Sequence, residues 1–264
     1  MRYFLLILGV LTLLGCGERE YANTRVVKPN IPAPEPVAET KNPLIVDLIP
    51  AKSAPNKLIA NPIIEKTISK RINKPTGELT EADYQKITRL SLSNNQLTDV
   101  KGLEKLTKLT KLYLYGNHLT DVSGLEKLPE LTWLELGGNQ LADIPKGLEK
   151  LTQLKELWLS DNQLTSVKSL EKLNQLTKLG LEKNQLTDVK GLEKLTKLEE
   201  LWLGDNQLTD VKELEKLNQL TWLHLQRNKL TDVKGLEKLK QLTFLNLTDN
   251  KLTDVKGLEK LTQL

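Results

Sequence analysis

Cysteine, histidine and aromatic residues are scarce in this chain of 264 residues. The single cysteine, Cys16, excludes a disulfide within one chain. The two histidines, His118 and His224, form no Cys/His cluster of the kind that binds zinc. The sequence also has no nucleophile elbow, phosphate-binding loop or dinucleotide fingerprint. We therefore predict a protein that is not an enzyme and that uses no metal and no cofactor.

No long part of the chain carries a strong excess of charge of one sign. Residues 1–75 contain 11 Lys/Arg and 6 Asp/Glu, whereas residues 76–264 contain 27 and 28. The basic balance of the whole chain therefore comes from its N-terminal third, and the rest carries a near-neutral mixture of charges. Because nucleic-acid binding requires a basic surface, we predict no nucleic-acid partner.

One repeated segment fills the last two-thirds of the chain. Around each copy the pattern is close to LxxLxLxxNxLTDVxGLEKL. Its asparagines lie 22 residues apart, except for one spacing of 23: Asn95, Asn117, Asn139, Asn162, Asn184, Asn206, Asn228 and Asn250. A unit of this length cannot bury a core alone, so the copies must stack on one another.

Each copy contains the pattern of one strand and one return segment. Leu112 and Leu114 alternate with residues of other types, which predicts a strand, and successive strands would pair in parallel about 4.8 Å apart. Apolar residues at spacing three follow, which favours a short 3-10 or helical return on the opposite side. We expect Asn117 to bond to open backbone groups at the bend and Asp121 to cap the return helix.

These residues resemble leucine-rich repeats, most closely the internalin-like 22-residue class of bacteria, over about residues 61–264. The resemblance implies an α/β fold, a right-handed solenoid with a parallel concave sheet, short 3-10 or helical convex returns and an N-terminal helical cap. Residues 61–89 are assigned to the cap, where Ile64, Ile68 and Ile72 mark a helix face and Thr80 with Asp83 a capping box. Residues 90–264 hold eight repeats and a partial ninth, whose end without a visible cap is expected to permit self-association.

The N-terminal residues predict where in the cell the protein is located. Residues 1–15 are an apolar run behind Arg2, too short to cross a bilayer comfortably, and the run ends at Leu13-Leu14-Gly15-Cys16. This end resembles the lipobox of bacterial lipoproteins, which implies a signal peptide, a lipid on Cys16 and attachment to the cell envelope. By the same analogy, Gly17 implies the outer membrane. Residues 16–60 are rich in proline, which favours an extended tether.

The copies differ most at strand positions that point away from the leucine core. All four tryptophans fall in these columns. Exposed aromatic surface usually marks a binding site, and Trp and Tyr contribute strongly to protein–protein affinity. The alternative is that aromatic residues suit strands and that neighbouring rings shield one another. We predict a binding surface made of Lys111, Tyr113, Tyr115, Trp133, Glu135, Glu156, Trp158, Glu200, Trp202, Trp222, His224, Arg227 and Phe244.

The predicted function is recognition of another protein at the bacterial envelope through this face. Eight strands give a face roughly 34 Å long, which suits a folded protein or an extended polymer better than a metabolite. The internalin-like resemblance implies that the concave face grips a protein partner, with Tyr113, Trp133, Trp158, Trp202 and Trp222 as contact residues. Two alternatives remain open, a glycan or peptidoglycan binder and a self-associating structural spacer.

Overall fold

The computed structural model describes residues 59–264. The predicted signal peptide, the lipidation site Cys16 and nearly all of the predicted tether lie outside the described residues. The described part contains one open, all-parallel sheet whose eight strands lie side by side in sequence order. The strands are β1 (Arg89–Ser91), β2 (Lys111–Tyr113), β3 (Trp133–Glu135), β4 (Glu156–Trp158), β5 (Lys178–Gly180), β6 (Glu200–Trp202), β7 (Trp222–His224) and β8 (Phe244–Asn246).

The register of the sheet keeps equivalent residues of successive repeats side by side. The central leucine of each strand pairs with the central leucine of the next, as Leu112 does with Leu134. The central leucines of β1 to β7 are buried, whereas the residues on either side point to the opposite face of the sheet. The predicted leucine-rich-repeat solenoid is therefore confirmed, and its core lies between the sheet and the return segments.

The returns on the far side of the core are short 3-10 helices. All eight contain the sequence Leu-Glu-Lys, and six consist of it alone: Leu103–Lys105, Leu125–Lys127, Leu148–Lys150, Leu192–Lys194, Leu236–Lys238 and Leu258–Lys260. Each of these six follows a glycine with positive φ, such as Gly102 at 97°. Ser169 and Glu213 replace this glycine in the other two, where the 3-10 helix is longer and spans Lys168–Lys172 and Lys212–Lys216.

The aspartates of the LTDV segments do not cap these helices, so that prediction was wrong. The Asp99 carboxylate accepts a hydrogen bond from the backbone N–H of Lys101 at 3.0 Å, two residues further on. The 3-10 helix begins only at Leu103 and has no side-chain cap. Such an aspartate closes a turn of the Asx type ahead of the helix, and four others do the same: Asp121, Asp188, Asp232 and Asp254. Asp210 differs, because it accepts from Lys212, the first residue of its 3-10 helix.

The repeated asparagine bonds to backbone groups at the bend, as predicted, and these bonds also link neighbouring repeats. The Asn184 amide nitrogen donates to the carbonyl oxygens of Leu159, in the preceding repeat, and Leu181, in its own, at 3.0 and 3.1 Å. Its amide oxygen accepts from the backbone N–H of Leu164 at 3.0 Å. The equivalent residues from Asn117 to Asn228 are buried and make the same bonds. These side chains satisfy backbone groups that the bend would otherwise leave unpaired inside the protein.

Two helices form the N-terminal cap of the core. Helix α1 (Pro62–Arg71) begins after Asn61, whose side chain accepts from two backbone N–H groups, and it buries Ile64 and Ile68. Helix α2 (Glu81–Tyr84) begins with the predicted capping box. Ile59, which falls in the range predicted as tether, is also buried. Among residues 59–264, neither helix is long and apolar enough to cross a membrane.

A polar cluster fixes the start of α2. The Asp83 carboxylate forms ion pairs with Lys74 at 2.7 Å and with Lys86 at 3.0 Å, and it accepts from the Thr80 backbone N–H at 3.0 Å. Hydrogen bonds from Lys74, Thr80 and Lys86 hold the pKa of Asp83 well below its usual range. The carboxylate therefore stays ionised in acid and ties the loop before α2 to the helix.

Candidate binding face

The concave face is the side of the sheet that points away from the leucine core. It consists of the first and third residues of each strand together with the residues that follow the strand's last leucine. Because the sheet is parallel and in register, side chains from consecutive repeats form columns along the solenoid. Seven ring-bearing residues make an unbroken series of contacts here, which we call the aromatic row: Tyr113, Trp133, Trp158, Trp202, His224, Trp222 and Phe244.

The first half of the aromatic row runs from Tyr113 to Trp202. Ring centroids lie 5.9 Å apart for Tyr113 and Trp133, and 6.2 Å apart for Trp133 and Trp158. Trp158 and Trp202 approach to 4.8 Å although strand β5 lies between their strands. These separations are typical of favourable offset or tilted aromatic pairs.

Gly180 of β5 makes the contact between Trp158 and Trp202 possible. A Cβ atom at Gly180 would lie 2.5 Å from Cε3 of Trp158, closer than two carbon atoms can approach. The Trp158 ring therefore occupies the space that any other residue at position 180 would fill. Without a side chain between them, the two indoles meet across the intervening strand.

The second half of the aromatic row is more tightly stacked. Trp222 and Phe244 are nearly parallel, with centroids 4.1 Å apart and an interplanar angle of 8°. His224 lies 6.0 Å from Trp202 and 4.9 Å from Phe244, so the imidazole joins the two halves. The row consequently spans from β2 to β8, nearly the whole length of the sheet.

A chain of hydrogen bonds holds this second half in place. The Trp222 indole N–H donates to Nε2 of His224 at 2.6 Å, and Nδ1 of His224 bonds to the Gln226 amide oxygen at 3.3 Å. The amide nitrogen of Gln226 donates to the Glu182 carboxylate at 3.2 Å. This direction of bonding assigns the imidazole proton to Nδ1, because Nε2 accepts.

Cations cover the first rings of the aromatic row. The Arg89 guanidinium lies 4.9 Å from the ring centre of Tyr113, and the Lys111 ammonium lies 5.0 Å from that of Trp133. Both distances are within the range of a cation–π interaction. The β1 end of the face therefore presents positive charge as well as aromatic surface.

The carboxylates of the face are unequally paired. Lys178 and Glu200 form an ion pair at 2.7 Å. Burial raises the pKa of Glu156, an effect opposed by the charges of Lys178 and Lys111. Burial alone raises the pKa of Glu135, and no hydrogen bond or ion pair joins its side chain to another described residue. Glu135 is therefore the least compensated charge of the face.

The aromatic row shields its own surface more than the sequence indicates. Among the large apolar residues of 59–264 only Tyr115, Trp222 and Val255 are exposed, at 43%, 39% and 36%. The other indole rings of the row are half-buried against one another. Tyr115 is not part of the row, since its ring lies beside Gly137 and Gly138. Arg227 also lies apart and pairs with Asp205 and Asp249 at 3.3 and 3.5 Å.

The chain is similar to leucine-rich repeat proteins in sequence and in structure. Family models described as leucine-rich repeats match residues 85–127, 129–186, 174–216 and 218–260. Among solved structures, internalin C2 of Listeria monocytogenes is 34% identical, with a TM-score of 0.75 over 78% of this chain and 92% of that one. The chain belongs to the leucine-rich repeat family. This result confirms the resemblance noted in the sequence.

A second bacterial leucine-rich repeat protein shows the same relationship. A leucine-rich repeat protein of Leptospira interrogans is 32% identical, with a TM-score of 0.59 over 70% of this chain and 55% of that one. A search of curated protein sequences finds no match. Leucine-rich repeat domains are generally non-catalytic modules that bind proteins. The internalin-like neighbours support a bacterial leucine-rich repeat protein.

The structure brings most of the predicted residues of the leucine-rich repeat face together, and it adds residues that the sequence did not single out. Gly180 positions Trp158, and Gln226 with Glu182 positions His224. These residues occupy positions at which the copies of the repeat differ from one another. This variation was the one feature of the sequence that indicated a role for them. Their roles depend on contacts between repeats, and a periodic pattern does not specify such contacts.

Proposed function

We propose that this protein recognises another protein through the aromatic row of its concave face. The observation that carries the proposal is the unbroken contact of seven rings across the sheet, from Tyr113 to Phe244. Stacked rings lose little conformational freedom when a partner covers them, so their burial contributes efficiently to affinity.

The chemistry of the face supports a polymeric partner over a small molecule. The rings spread over an open sheet and are not gathered in a closed cavity. The flanking charges are mixed, with Arg89 and Lys111 at one end and Glu135 and Glu156 near the centre. Such a pattern favours partners whose charges are complementary in position to these residues, in addition to partners with apolar surface.

Capture of partners from bacterial envelopes tests the proposal. Immobilised wild-type protein is compared with the double variant Trp158→Ala/Trp202→Ala and with Lys127→Ala/Lys150→Ala, which removes two exposed lysines from the opposite side. We expect the tryptophan variant to lose the captured protein by at least about tenfold, because aromatic anchors typically contribute 2 kcal/mol or more. Equal capture by all three proteins would exclude the aromatic row as the binding site.

We also propose that Cys16 is lipidated and anchors the protein to the outer membrane, with residues 16–58 as the tether, since Ile59 is buried in the cap. The support is the sequence Leu13-Leu14-Gly15-Cys16 behind a short apolar run, followed by Gly17. Metabolic labelling with a clickable fatty acid should mark the wild type in the outer-membrane fraction and leave Cys16→Ser unlabelled. Label on both proteins, or on neither, would contradict the anchor.

A further inference from the structure

Glu135 is bordered by aromatic side chains on the concave face. It pairs in register with Tyr113 on one side and with Trp158 on the other. Trp133 precedes it by two residues on the same strand and therefore points to the same face. Neighbouring strands lie about 4.8 Å apart and alternate residues of one strand about 6.6 Å apart, so these three side chains are the immediate neighbours of the carboxylate.

Tyr115 borders the remaining side. The residue two positions beyond Glu135 is Gly137, and a Cβ atom there would lie 3.2 Å from Cδ2 of Tyr115. The Tyr115 ring therefore lies beside the place that a side chain at position 137 would take, and it is exposed. We call this group of five residues the aromatic cage: Tyr113, Tyr115, Trp133, Glu135 and Trp158.

The carboxylate of the cage has no positive partner among residues 59–264. Burial raises the pKa of Glu135, and no charged group of the described residues opposes this effect. Glu156 on the next strand differs, because Lys178 and Lys111 oppose the same effect of burial. A half-buried carboxylate without a counter-charge opposes folding, and such groups are concentrated at functional sites.

The two indoles of the cage are held by packing alone. The N–H groups of Trp133 and Trp158 are covered from solvent and form no hydrogen bond with the described residues. Trp222, in contrast, is held by its bond to His224. Because buried donors are nearly always paired in folded proteins, the two indoles would gain by turning toward an acceptor, and no hydrogen bond of their own resists the movement.

A ligand that completes the cage must bring positive charge to the carboxylate and a flat surface to the rings. The arginine guanidinium provides both, because it pairs with a carboxylate through two parallel hydrogen bonds and stacks on aromatic faces. A peptide that bears the arginine also supplies carbonyl oxygens as acceptors for the indole N–H groups.

The chain shows half of this arrangement at the β1 end of the same face. The Arg89 guanidinium lies over Tyr113 and the Lys111 ammonium over Trp133, where rings have a cation but no paired carboxylate. No cation of residues 59–264 lies over Trp158. The position between Glu135 and Trp158 is therefore the one where a carboxylate and a ring both lack a cation.

We propose that the aromatic cage binds an arginine side chain of the protein partner, with Glu135 as the counter-ion and Trp158 as the ring on which the guanidinium stacks. The inference rests on the proposed recognition of a protein through the concave face. It assigns that partner a basic surface with a projecting arginine. Glu135 then selects the partner by charge, whereas the rings contribute apolar contact.

Fluorine NMR of the full-length protein labelled with 5-fluorotryptophan tests the proposal. The probe is the blocked tripeptide glycyl-arginyl-glycine, and the matched probe contains citrulline, which has nearly the shape of arginine but no charge. We expect the arginine probe to shift the Trp133 and Trp158 signals saturably, with a dissociation constant on the order of 1 mM, and to leave the Trp222 signal in place. The citrulline probe should bind at least about tenfold more weakly, because it lacks the charge-assisted hydrogen bonds.

Two carboxylate variants locate the charge that the probe recognises. Glu135→Gln should weaken binding of the arginine probe by about tenfold and change binding of the citrulline probe by less than about twofold. Glu171→Gln, which removes the same charge from the exposed opposite side, should change neither by more than about twofold. Unfolding would not explain the loss in Glu135→Gln, since removal of an uncompensated charge favours the folded state.

Several results of these titrations would overturn the arginine site. They are equal binding of the arginine and citrulline probes, equal loss in the two carboxylate variants, and no saturable shift up to about 20 mM probe. A probe with lysine in place of arginine should bind more weakly than the arginine probe, because an ammonium group does not stack on a ring as a planar guanidinium does. Tighter binding of the lysine probe would also overturn the assignment.

Capture of envelope proteins separates this inference from the proposed function. Glu135→Gln should lower capture by about tenfold, as Trp158→Ala/Trp202→Ala does. Capture that depends on the two tryptophans but not on Glu135 would leave the proposed function standing and overturn the arginine site. If the arginine probe requires Glu135 but capture is independent of both variants, the cage binds cations, whereas the proposed function fails and with it the assignment of the arginine to a protein partner.

Discussion

Replacement of Gly180 by alanine should interrupt the ring contacts of the aromatic row and should have little effect on the stability of the fold. The added Cβ would lie 2.5 Å from Cε3 and 3.1 Å from Cζ3 of Trp158. The backbone of β5 is fixed on both sides by its parallel neighbours, so the indole must move. The Trp158–Trp202 contact at 4.8 Å then breaks. The row is thereby divided into one part from Tyr113 to Trp158 and another from Trp202 to Phe244.

The expected change in stability is small because two effects oppose each other. Loss of one aromatic pair costs about 0.5–1.5 kcal/mol. Replacement of glycine by alanine at a residue without positive φ stabilises by about 0.4–1 kcal/mol, through the lower entropy of the unfolded chain. The net effect is within about 1 kcal/mol, which corresponds to a change in Tm of about 2–4 °C for a domain of this size.

Near-ultraviolet circular dichroism and partner capture measure the outcome. Gly180→Ala should reduce the tryptophan signal and lower capture by about tenfold, as loss of a central aromatic anchor would. A double-mutant cycle is the control, because in a Trp202→Ala background the same substitution should change the signal little. The assigned role of Gly180 would be refuted if the Gly180→Ala variant had the same circular dichroism spectrum as the wild type. It would also be refuted if Gly180→Ala changed the spectrum equally in the wild type and in Trp202→Ala.

Three further predictions concern the core, the cap and the face. Asn184→Ala should lower the free energy of unfolding by about 3–5 kcal/mol, measured by chemical denaturation, because it leaves several backbone groups buried without partners. Asn95→Ala is the matched control and should cost only about 1 kcal/mol, because the Asn95 amide nitrogen donates to one carbonyl. Asp83→Asn should lower Tm at neutral pH, because the folded pKa of Asp83 is depressed and its ionised form stabilises the fold. The difference in Tm between this variant and the wild type should be constant above about pH 4 and should shrink as the pH falls below that value. Glu135→Gln should raise Tm at pH 7 and not at pH 4, because burial raises the folded pKa and the ionised form opposes folding; a Tm unchanged at pH 7 would contradict this account.

The repeat pattern was sufficient to predict the architecture of the solenoid. Alternating leucines placed the strands, and the invariant asparagine predicted the bonds that Asn184 and its equivalents make. These features depend on residues within one repeat and its immediate neighbour, so a period of 22 residues contains the necessary information. The capping box of Thr80 and Asp83 is similarly local, and it was predicted from spacing.

The aspartate caps were predicted wrongly for an equally local reason. Asp99 and the glycine at position 102 both favour special backbone conformations, and the sequence does not show which of the two immediately precedes the helix. The positive φ of Gly102 allows the chain to turn directly into the 3-10 helix. Asp99 is then left to stabilise the turn before it.

The arrangement of rings on the concave face could not be predicted from the columns alone. The sequence placed Trp158 and Trp202 in the same column but two strands apart, a separation at which side chains do not usually meet. Contact requires the missing side chain at Gly180 and a particular orientation of Trp158. Such orientations arise from packing between three repeats, and this packing is not periodic.

Fluorine NMR of the captured complex tests the central claim most directly. Labelling with 5-fluorotryptophan gives one signal for each of Trp133, Trp158, Trp202 and Trp222, all of which lie in the aromatic row. Addition of a captured unlabelled partner should shift or broaden the signals of Trp158 and Trp202 at the stoichiometry of binding. A saturated complex in which all four signals keep their positions and widths would show that partners bind elsewhere.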